Sequence, residues 1–434
     1  MTQIEIHNFG PIKDAKIDIK PMLVLIGPQA SGKSTVAKLI YFFETLPEEL
    51  FAEYSQSEET HINIEPYLAN IIKNKFLKTF GLKKKFKIVY TFFGNNFVQI
   101  SETRGNLTIK FSDSFFEERK HGTILTTYKI NLLNINQKDL TSVLEQQKIL
   151  NKIYQETKKI FGNKHEDSLF VIAGRNATVG FSHSFEDAFK QNLFQRNLLN
   201  GQTSDEILML SFMKCVSQMK DVFIKYNGFE GILSTINNNI KPFLESANKL
   251  IYNILHGKYL INNNGEFIVQ DNVAVPLNEA SSGQQEAIRI LQDAFLGIYQ
   301  GNNLFRIVEE PEAHLFPEAQ KATIELLTLA LNNKNDNNLI ITTHSPYTLT
   351  VINNLIYAAK VGKDKPEKVK EIVPEALWLP TERVAAYFLK DGAAASIIDD
   401  ELGEIDPKLI DLVSREINKK YGQITDIEYE EQEE

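Results

Sequence analysis

The sequence predicts an α/β fold: a mixed sheet with flanking helices, split by a long α+β and helical insertion and followed by a small C-terminal extension. Three observations predict it. An apolar run at residues 22–26 passes through a glycine-flanked turn into a helical pattern from Val36, the alternation of a strand with a helix packed on its sheet. Two later stretches, Leu304-Phe305-Arg306-Ile307-Val308 and Leu339-Ile340-Ile341, are apolar but for Arg306 and end abruptly in polar residues, as strands buried on both faces do. Between the first run and the other two lies a stretch of different texture, residues 47–265, without the same strand–loop–helix signals.

Residues 1–20 read as two short strands. Ile4-Glu5-Ile6 and Ala15-Lys16-Ile17-Asp18-Ile19 alternate apolar with polar, and Asn8-Phe9-Gly10-Pro11 supplies the turn. The hairpin leads into the 22–26 strand and then into Gly27-Pro28-Gln29-Ala30-Ser31-Gly32-Lys33-Ser34-Thr35, which fills every fixed position of G-x-x-x-x-G-K-S. Gly27 and Gly32 let the backbone close around a polyphosphate, so that N–H groups and the helix N-terminus face negative charge. Lys33 is placed for the β- and γ-phosphates and the Ser34 hydroxyl for Mg²⁺. A nucleoside triphosphate with Mg²⁺ is the expected ligand. The helix that follows extends to about residue 46.

Within 47–265, residues 48–80 and 137–160 have helical patterns, and 86–131 reads as β-rich. The expected strands there are Phe86-Lys87-Ile88-Val89-Tyr90, Val98-Gln99-Ile100, Leu107-Thr108-Ile109-Lys110-Phe111 and Ile124-Leu125-Thr126-Thr127-Tyr128, with turns at Gly94-Asn95-Asn96 and Arg104-Gly105-Asn106. Leu169-Phe170-Val171-Ile172 is a buried strand ending in Ala173-Gly174-Arg175-Asn176, and 185–255 is again helical. Arg175 reads two ways: as a packing or ion-pair residue, or as an arginine that follows a strand and approaches phosphate. Lys73, Lys75, Lys78, Lys83, Lys84, Lys85 and Lys87 form a dense basic segment. It reads either as a solvated face or as a phosphate-backbone contact for DNA.

Nucleotide-site signals resume near 266. Glu266-Phe267-Ile268-Val269-Gln270 is strand-like, and Ser281 and Ser282 are good N-cap residues for a helix running to about Tyr299. Gly283 there would let a ligand approach the backbone. The 304–308 strand then ends in Glu309-Glu310-Pro311-Glu312-Ala313-His314-Leu315. Adjacent acids at a strand end after a P-loop suit a Walker B element, with Glu309 on Mg²⁺ and Glu310 polarising the attacking water. The 338–341 strand runs into Thr342-Thr343-His344-Ser345-Pro346, placing His344 where α/β sheets bind ligands.

The bulk composition narrows the class. A hydrophobic content of 43% with 24% charged residues is that of an ordinary globular chain, and 434 residues are too many for one small core. The net charge of −9 argues against a surface that is wholly a nucleic-acid footprint. The single Cys215 excludes a disulfide framework and suits packing in a reducing compartment. No apolar run is long enough to cross a bilayer, so a cytoplasmic protein without membrane contact is expected. The cluster Asp399, Asp400, Glu401, Glu404 and Asp406 reads as a solvated acidic turn rather than a cation site, and the 430–434 tail as disordered.

Four segments in this order resemble the ABC-type ATPase heads of the OLD, RecF and SMC group. They are the hairpin with its 27–35 loop, Ala280-Ser281-Ser282-Gly283-Gln284 as a variant signature, residues 309–315 as Walker B and D-loop, and residues 342–346 as the switch-histidine loop. The last two are similar to the OLD-like branch of bacterial anti-phage ATPases such as the Septu and PARIS subunits. The resemblance implies that Lys33, Ser34, Glu309, Glu310 and His344 form one half of an ATP site. It also implies that Ser281, Ser282, Gly283 and Gln284 act in trans on the nucleotide of a second copy, so that an ATP-dependent dimer forms. Glu309 stands where Asp is more usual, and Ser282 replaces a signature glycine. Gln99 and Gln147 are the candidates for the glutamine loop of such heads. OLD nucleases carry a Toprim domain with an Asp-x-Asp pair after the switch histidine, and residues 360–434 contain no such pair.

The expected organisation is therefore an ATPase head in two parts, 1–46 and 266–360, an inserted lobe at 47–265 and an extension at 361–434 with an acidic tail. The expected function is an ATP-driven switch controlling a separate effector, a nuclease or toxin, with no nuclease activity of its own. A RecF- or SMC-like DNA-binding ATPase in repair is the alternative, and a transporter ATP-binding subunit ranks below it.

Overall fold

The computed structural model describes residues 2–58, 63–83, 85–116, 120–135, 140–180, 203–237, 239–406 and 419–424. The hairpin is present as β1 (Thr2–Phe9) and β2 (Ile12–Ile19), registered Ile4 to Ile17 and Ile6 to Ala15, with the alternate residues buried. Gly10, at φ 57°, makes the tight turn between them. β3 (Met22–Ile26) is buried at every residue, which explains its unbroken apolar run: it has neighbours on both edges and layers on both faces.

Three antiparallel strands follow, β4 (Lys87–Phe93), β5 (Asn96–Thr103) and β6 (Asn106–Phe111), then β7 (Asp167–Val171). A small separate sheet contains β8 (Lys258–Asn262), β9 (Gly265–Gln270) and β10 (Val273–Pro276). The remaining strands are β11 (Leu304–Glu309), β12 (Asn338–Thr343), β13 (Val384–Lys390) and β14 (Ala393–Ser396). Among the described residues, eleven strands make one mixed sheet in the order β6-β5-β4-β1-β2-β14-β13-β3-β12-β11-β7. Its β13-β3-β12-β11-β7 half is parallel, and β6-β5-β4-β1-β2 is antiparallel.

The sheet crosses every boundary expected from sequence. Residues 47–265 supply β4–β7 to it, and residues beyond 360 supply β13 and β14 to its middle. β13 pairs with β3 from Val384–Met22 to Phe388–Ile26, directly beside the strand that carries the phosphate loop. One expected strand is not a strand. Residues 124–128 lie within the helix Lys120–Leu133, where Leu125 and Lys129, one turn apart, are both buried. The Lys129 ammonium donates to the carbonyls of Tyr54 and Ser55, 2.9 Å each, at the end of the helix Leu46–Gln56. Tertiary packing overrides the strand propensity of the threonines there.

The basic segment is not one surface. Lys73, Lys78, Lys83, Lys85 and Lys87 are exposed, whereas Lys84 lies outside the described residues. Lys75 turns inward: its ammonium donates to the Thr45 carbonyl (3.2 Å) and hydroxyl (3.0 Å), and lies over the Phe42 ring. With its ammonium engaged inward and paired with Glu49 at 3.6 Å, Lys75 leaves the set of candidate DNA contacts. In the acidic turn, Asp399 Oδ1 accepts from the backbone N–H groups of Glu401 and Leu402, and Glu404 pairs with Lys360. Among the described residues, no group of three or more His, Cys, Asp or Glu could hold a metal ion, and no helix is long and apolar enough to cross a membrane. Residues 185–202, 407–418 and the 430–434 tail lie outside the described residues.

Candidate active site

The carboxyl ends of four adjacent parallel strands meet at one place. β3 delivers the 27–35 loop, β12 delivers His344, β11 delivers Glu309 and Glu310, and β7 delivers Ala173–Arg175 by way of Ile172. This is the edge of an open α/β sheet where ligands bind. The register sets the alignment, since Ile26 pairs with Thr343, Thr342 with Glu309, and Val308 with Val171.

The phosphate loop has the conformation its sequence requires. Gly32 (φ 103°) and Ala30 (φ 59°) bend the chain, Pro28, Gln29 and Ala30 stand exposed at its crest, and Ser34 and Thr35 are half-buried. A Cβ built on Gly27 would lie 2.1 Å from the Leu389 carbonyl oxygen, and one on Gly32 2.4 Å from Ile12. Glycine is required here for space as much as for backbone freedom. Lys33 opens the helix Lys33–Glu44 with only 5% of its surface exposed. Its ammonium donates to the carbonyls of Gly27 and Pro28, 2.9 Å each, and approaches His344 Nδ1 at 3.5 Å. Burial pushes the Lys33 pKa down, while the nearby carboxylates of Glu310, Glu312 and Glu309 push it back up. A polyphosphate beside it favours the charged form in the same way.

Glu309 is 4% exposed and accepts from the Ala173 N–H at 3.2 Å through one carboxylate oxygen. Its other oxygen, Oε1, is buried without a hydrogen-bond partner, as is the Ser31 hydroxyl of the loop. A buried carboxylate oxygen with free lone pairs beside a phosphate loop fits a hard cation such as Mg²⁺, which Glu309 would help to hold. Glu310 takes the left-handed conformation (φ 44°), its N–H donating to the Thr342 carbonyl at 2.8 Å. Glu310 Oε1 lies 3.3 Å from His344 Nε2. Glu310, His344 and Lys33 thus form a continuous chain of polar contacts.

Sequence reasoning assigns no role to Glu312. In the structure its Oε1 accepts from the Thr343 hydroxyl (2.6 Å) and the His344 N–H (2.8 Å), tying the loop after β11 to the loop after β12. The only signal in the sequence is a third acid, three residues after Glu309.

Ser281 caps the helix Ser282–Gln300 in a reciprocal box with Gln284, whose side-chain amide also donates to the Leu255 carbonyl at 2.6 Å. Ser281 and Ser282 are exposed and Gly283 is buried. Gly283 meets protein rather than an open approach: a Cβ there would lie 2.7 Å from the His314 carbonyl oxygen. The glycine brings this helix against the turn after β11.

Arg175 is placed differently from an arginine that reaches phosphate. It is 0% exposed, and its guanidinium donates to the carbonyls of Glu286 (2.9 Å), Glu309 (2.8 Å), Glu310 (2.9 Å) and Ile172 (3.3 Å). The Glu286 carboxylate lies 3.5 Å away. Gln99 is also misplaced as a glutamine-loop candidate. It lies on β5, with β4, β1, β2, β14 and β13 between it and β3. Gln147 is an exposed residue of the helix Leu140–Phe161.

Residues 1–349 match the family model described as AAA ATPase domain. The chain belongs to this ATPase family. Membership implies ATP hydrolysis. Similar solved structures include an SMC head domain from Thermotoga maritima, 11% identical over 91% of this chain and 97% of that one, with a TM-score of 0.35. A Pyrococcus furiosus Smc head with an extended coiled coil is 10% identical over 92% and 96%, TM-score 0.39. The recombination mediator protein RecF-ATPrS is 12% identical over 91% and 97%, TM-score 0.34. No match was found among curated proteins.

Proposed function

We propose that this ATPase is a switch that closes head to head with a second copy around ATP and controls a separately encoded effector, a nuclease or toxin, in anti-phage defence. The observation that carries the ATP site is the convergence of Lys33, Glu309, Glu310 and His344 at the carboxyl ends of adjacent parallel strands. Loop N–H groups and Lys33 would hold the phosphates, and Glu309 and Ser34 would hold Mg²⁺, which would supply charge neutralisation to the phosphates. Glu310 is the general base for the attacking water, with His344 next to it on the same chain of contacts. A base in this position contributes about 10²–10⁴-fold to the rate.

The trans contact is supported by the exposed Ser281–Ser282 helix start, whose hydroxyl and helix N-terminus suit a phosphate from outside. Binding energy for the nucleotide then becomes binding energy for the closed pair, a two-state device biased by ligand. The effector assignment rests on the resemblance of residues 309–315 and 342–346 to OLD-like heads. A second reading, direct DNA clamping, is favoured by one observation, the exposed Lys73, Lys78, Lys83, Lys85 and Lys87.

The test is to purify the tagged protein with its native gene neighbours, as wild type and as Glu310→Gln, and to identify what accompanies each by mass spectrometry. The expected result is a stoichiometric nuclease or toxin whose retention differs between the two. A pair that carries only nucleic acid, with binding that falls steeply as salt rises, would overturn the effector assignment and favour DNA clamping.

A further inference from the structure

We infer that Arg175 is a positioning residue for hydrolysis: it sets the Glu309–Glu310 backbone and links that backbone to the helix that begins at Ser281, an inference that rests on the ATPase reading above. The side chain is fully buried, and every guanidinium nitrogen is used. Two of its nitrogens take the carbonyls of consecutive residues, Glu309 and Glu310. Consecutive carbonyls of a regular strand point to opposite sides, so one planar cation can bind both only where the chain leaves strand geometry. It leaves it here, because Glu310 adopts φ 44°, a conformation uncommon for a residue with a side chain.

That turn of the backbone separates the two carboxylates. It leaves Glu309 buried under the Ala173 N–H and sends Glu310 toward His344. Without the guanidinium, the turn keeps the Ala313 N–H on the Glu310 carbonyl (3.0 Å) and the Glu310 N–H on Thr342 (2.8 Å), but loses the group that ties the Glu309 and Glu310 carbonyls to each other. Lysine cannot substitute, since a single ammonium cannot serve carbonyls spread across a planar fork.

The other end of Arg175 reaches the helix Ser282–Gln300. Nε donates to the Glu286 carbonyl, and Glu286 Oε2, buried and without a hydrogen-bond partner, lies 3.5 Å from it. Glu286 stands in the first turns of the helix whose N-cap is Ser281. Gly283 on the same helix packs against His314, four residues beyond Glu310. A displacement of the helix start by a phosphate from a second copy is therefore felt at the Glu309–Glu310 carbonyls through Arg175. The ion pair, which makes no hydrogen bond through Oε2, is the contact free to change as it happens.

The test measures ATP hydrolysis and the affinity for a fluorescent ATP analogue with Mg²⁺ on wild type, Arg175→Lys and Glu286→Gln, with thermal unfolding as the check on folding. For Arg175→Lys we expect kcat to fall about 10²-fold, as for loss of a correctly placed base, with nucleotide affinity within about threefold of wild type. Combined with Glu310→Gln it adds no further loss, because the two act as one unit. For Glu286→Gln, which keeps the carbonyl that Nε binds, we expect kcat to fall about 2- to 30-fold, the range of a coupling contact, at unchanged affinity. Affinity and kcat falling in parallel, or losses that add to Glu310→Gln, would make Arg175 a packing residue and overturn the inference. So would unchanged turnover in Glu286→Gln, which decides the matter if Arg175→Lys does not fold. Wild-type protein that neither binds nor hydrolyses ATP would instead sink the ATPase reading itself.

Discussion

At Gly27 the demands of chemistry and packing coincide. The phosphate loop needs backbone without a side chain, and the Leu389 carbonyl of β13 occupies the place where one would stand. Gly27→Ala must push the loop and β13 apart, an overpacking cost of about 1–3 kcal/mol. Because the displaced element is the phosphate loop, we expect the loss to appear in ATP affinity, about 5- to 150-fold weaker, measured by titration with a fluorescent analogue. An unchanged affinity would show that β13 yields freely. Lys33, Glu309, Glu310 and His344 are legible in the sequence because each sits in a contiguous motif whose chemistry depends on its immediate neighbours. Arg175 and Glu312 are legible only as residues. What they do depends on partners more than a hundred and about thirty positions away, respectively, the Glu309 carbonyl and the Thr343 hydroxyl. No local pattern encodes that pairing.

Among the elements, the helix Ser282–Gln300 has the most demanding environment. Glu286, Arg289 and Asp293, at i, i+3 and i+7, form one buried charged stripe, and each is met by a different element. Glu286 faces Arg175. Arg289 binds Glu266 of β9 through both carboxylate oxygens, at 2.5 and 2.8 Å. Asp293 pairs with Arg306 of β11, which also binds Asp167 of β7. Burial alone would raise the Glu266 pKa, but Arg289, Lys220 and the Tyr259 hydroxyl hold it down to about 2.

An unfolded glutamate titrates near 4.3. With the folded value lower, the charged carboxylate contributes its full stabilisation above about pH 4.3 and loses it as pH falls toward 2. The shift corresponds to about 3 kcal/mol at neutral pH. Glu266→Gln is therefore expected to be less stable than wild type by about 3–5 kcal/mol at pH 7, with the gap narrowing below about pH 4.3. Urea denaturation across pH checks this, and a gap independent of pH would contradict it. The sequence marks this helix and its N-cap correctly, because capping residues are local signals. It misreads 124–128, where threonine and isoleucine favour a strand but burial of Leu125 and Lys129 on one helical face decides the outcome.

Over the whole molecule, the sheet is what turns distant motifs into a site. β13, from the last fifth of the chain, lies between β14 and β3, and the Tyr387 hydroxyl accepts from the Asp18 N–H of β2 at 3.0 Å. Among the described residues of 47–265, β4 continues the sheet from β1 and β7 continues it from β11, whereas β8 joins the small separate sheet. A linear reading sees the boundaries between motifs and not the pairing between strands, because long-range parallel pairing leaves no periodicity of its own. The parallel half brings four strand ends to one edge, and the start of the Ser281 helix is exposed.

If ATP closes two copies of this chain, light scattering reads the closure as a change in the molar mass of Glu310→Gln when Mg²⁺ and ATP are added. The mass is expected to double with Mg²⁺ and ATP and to return to that of one chain when Lys33→Ala removes phosphate binding. A Glu310→Gln protein that binds ATP and keeps an unchanged mass would contradict the closure.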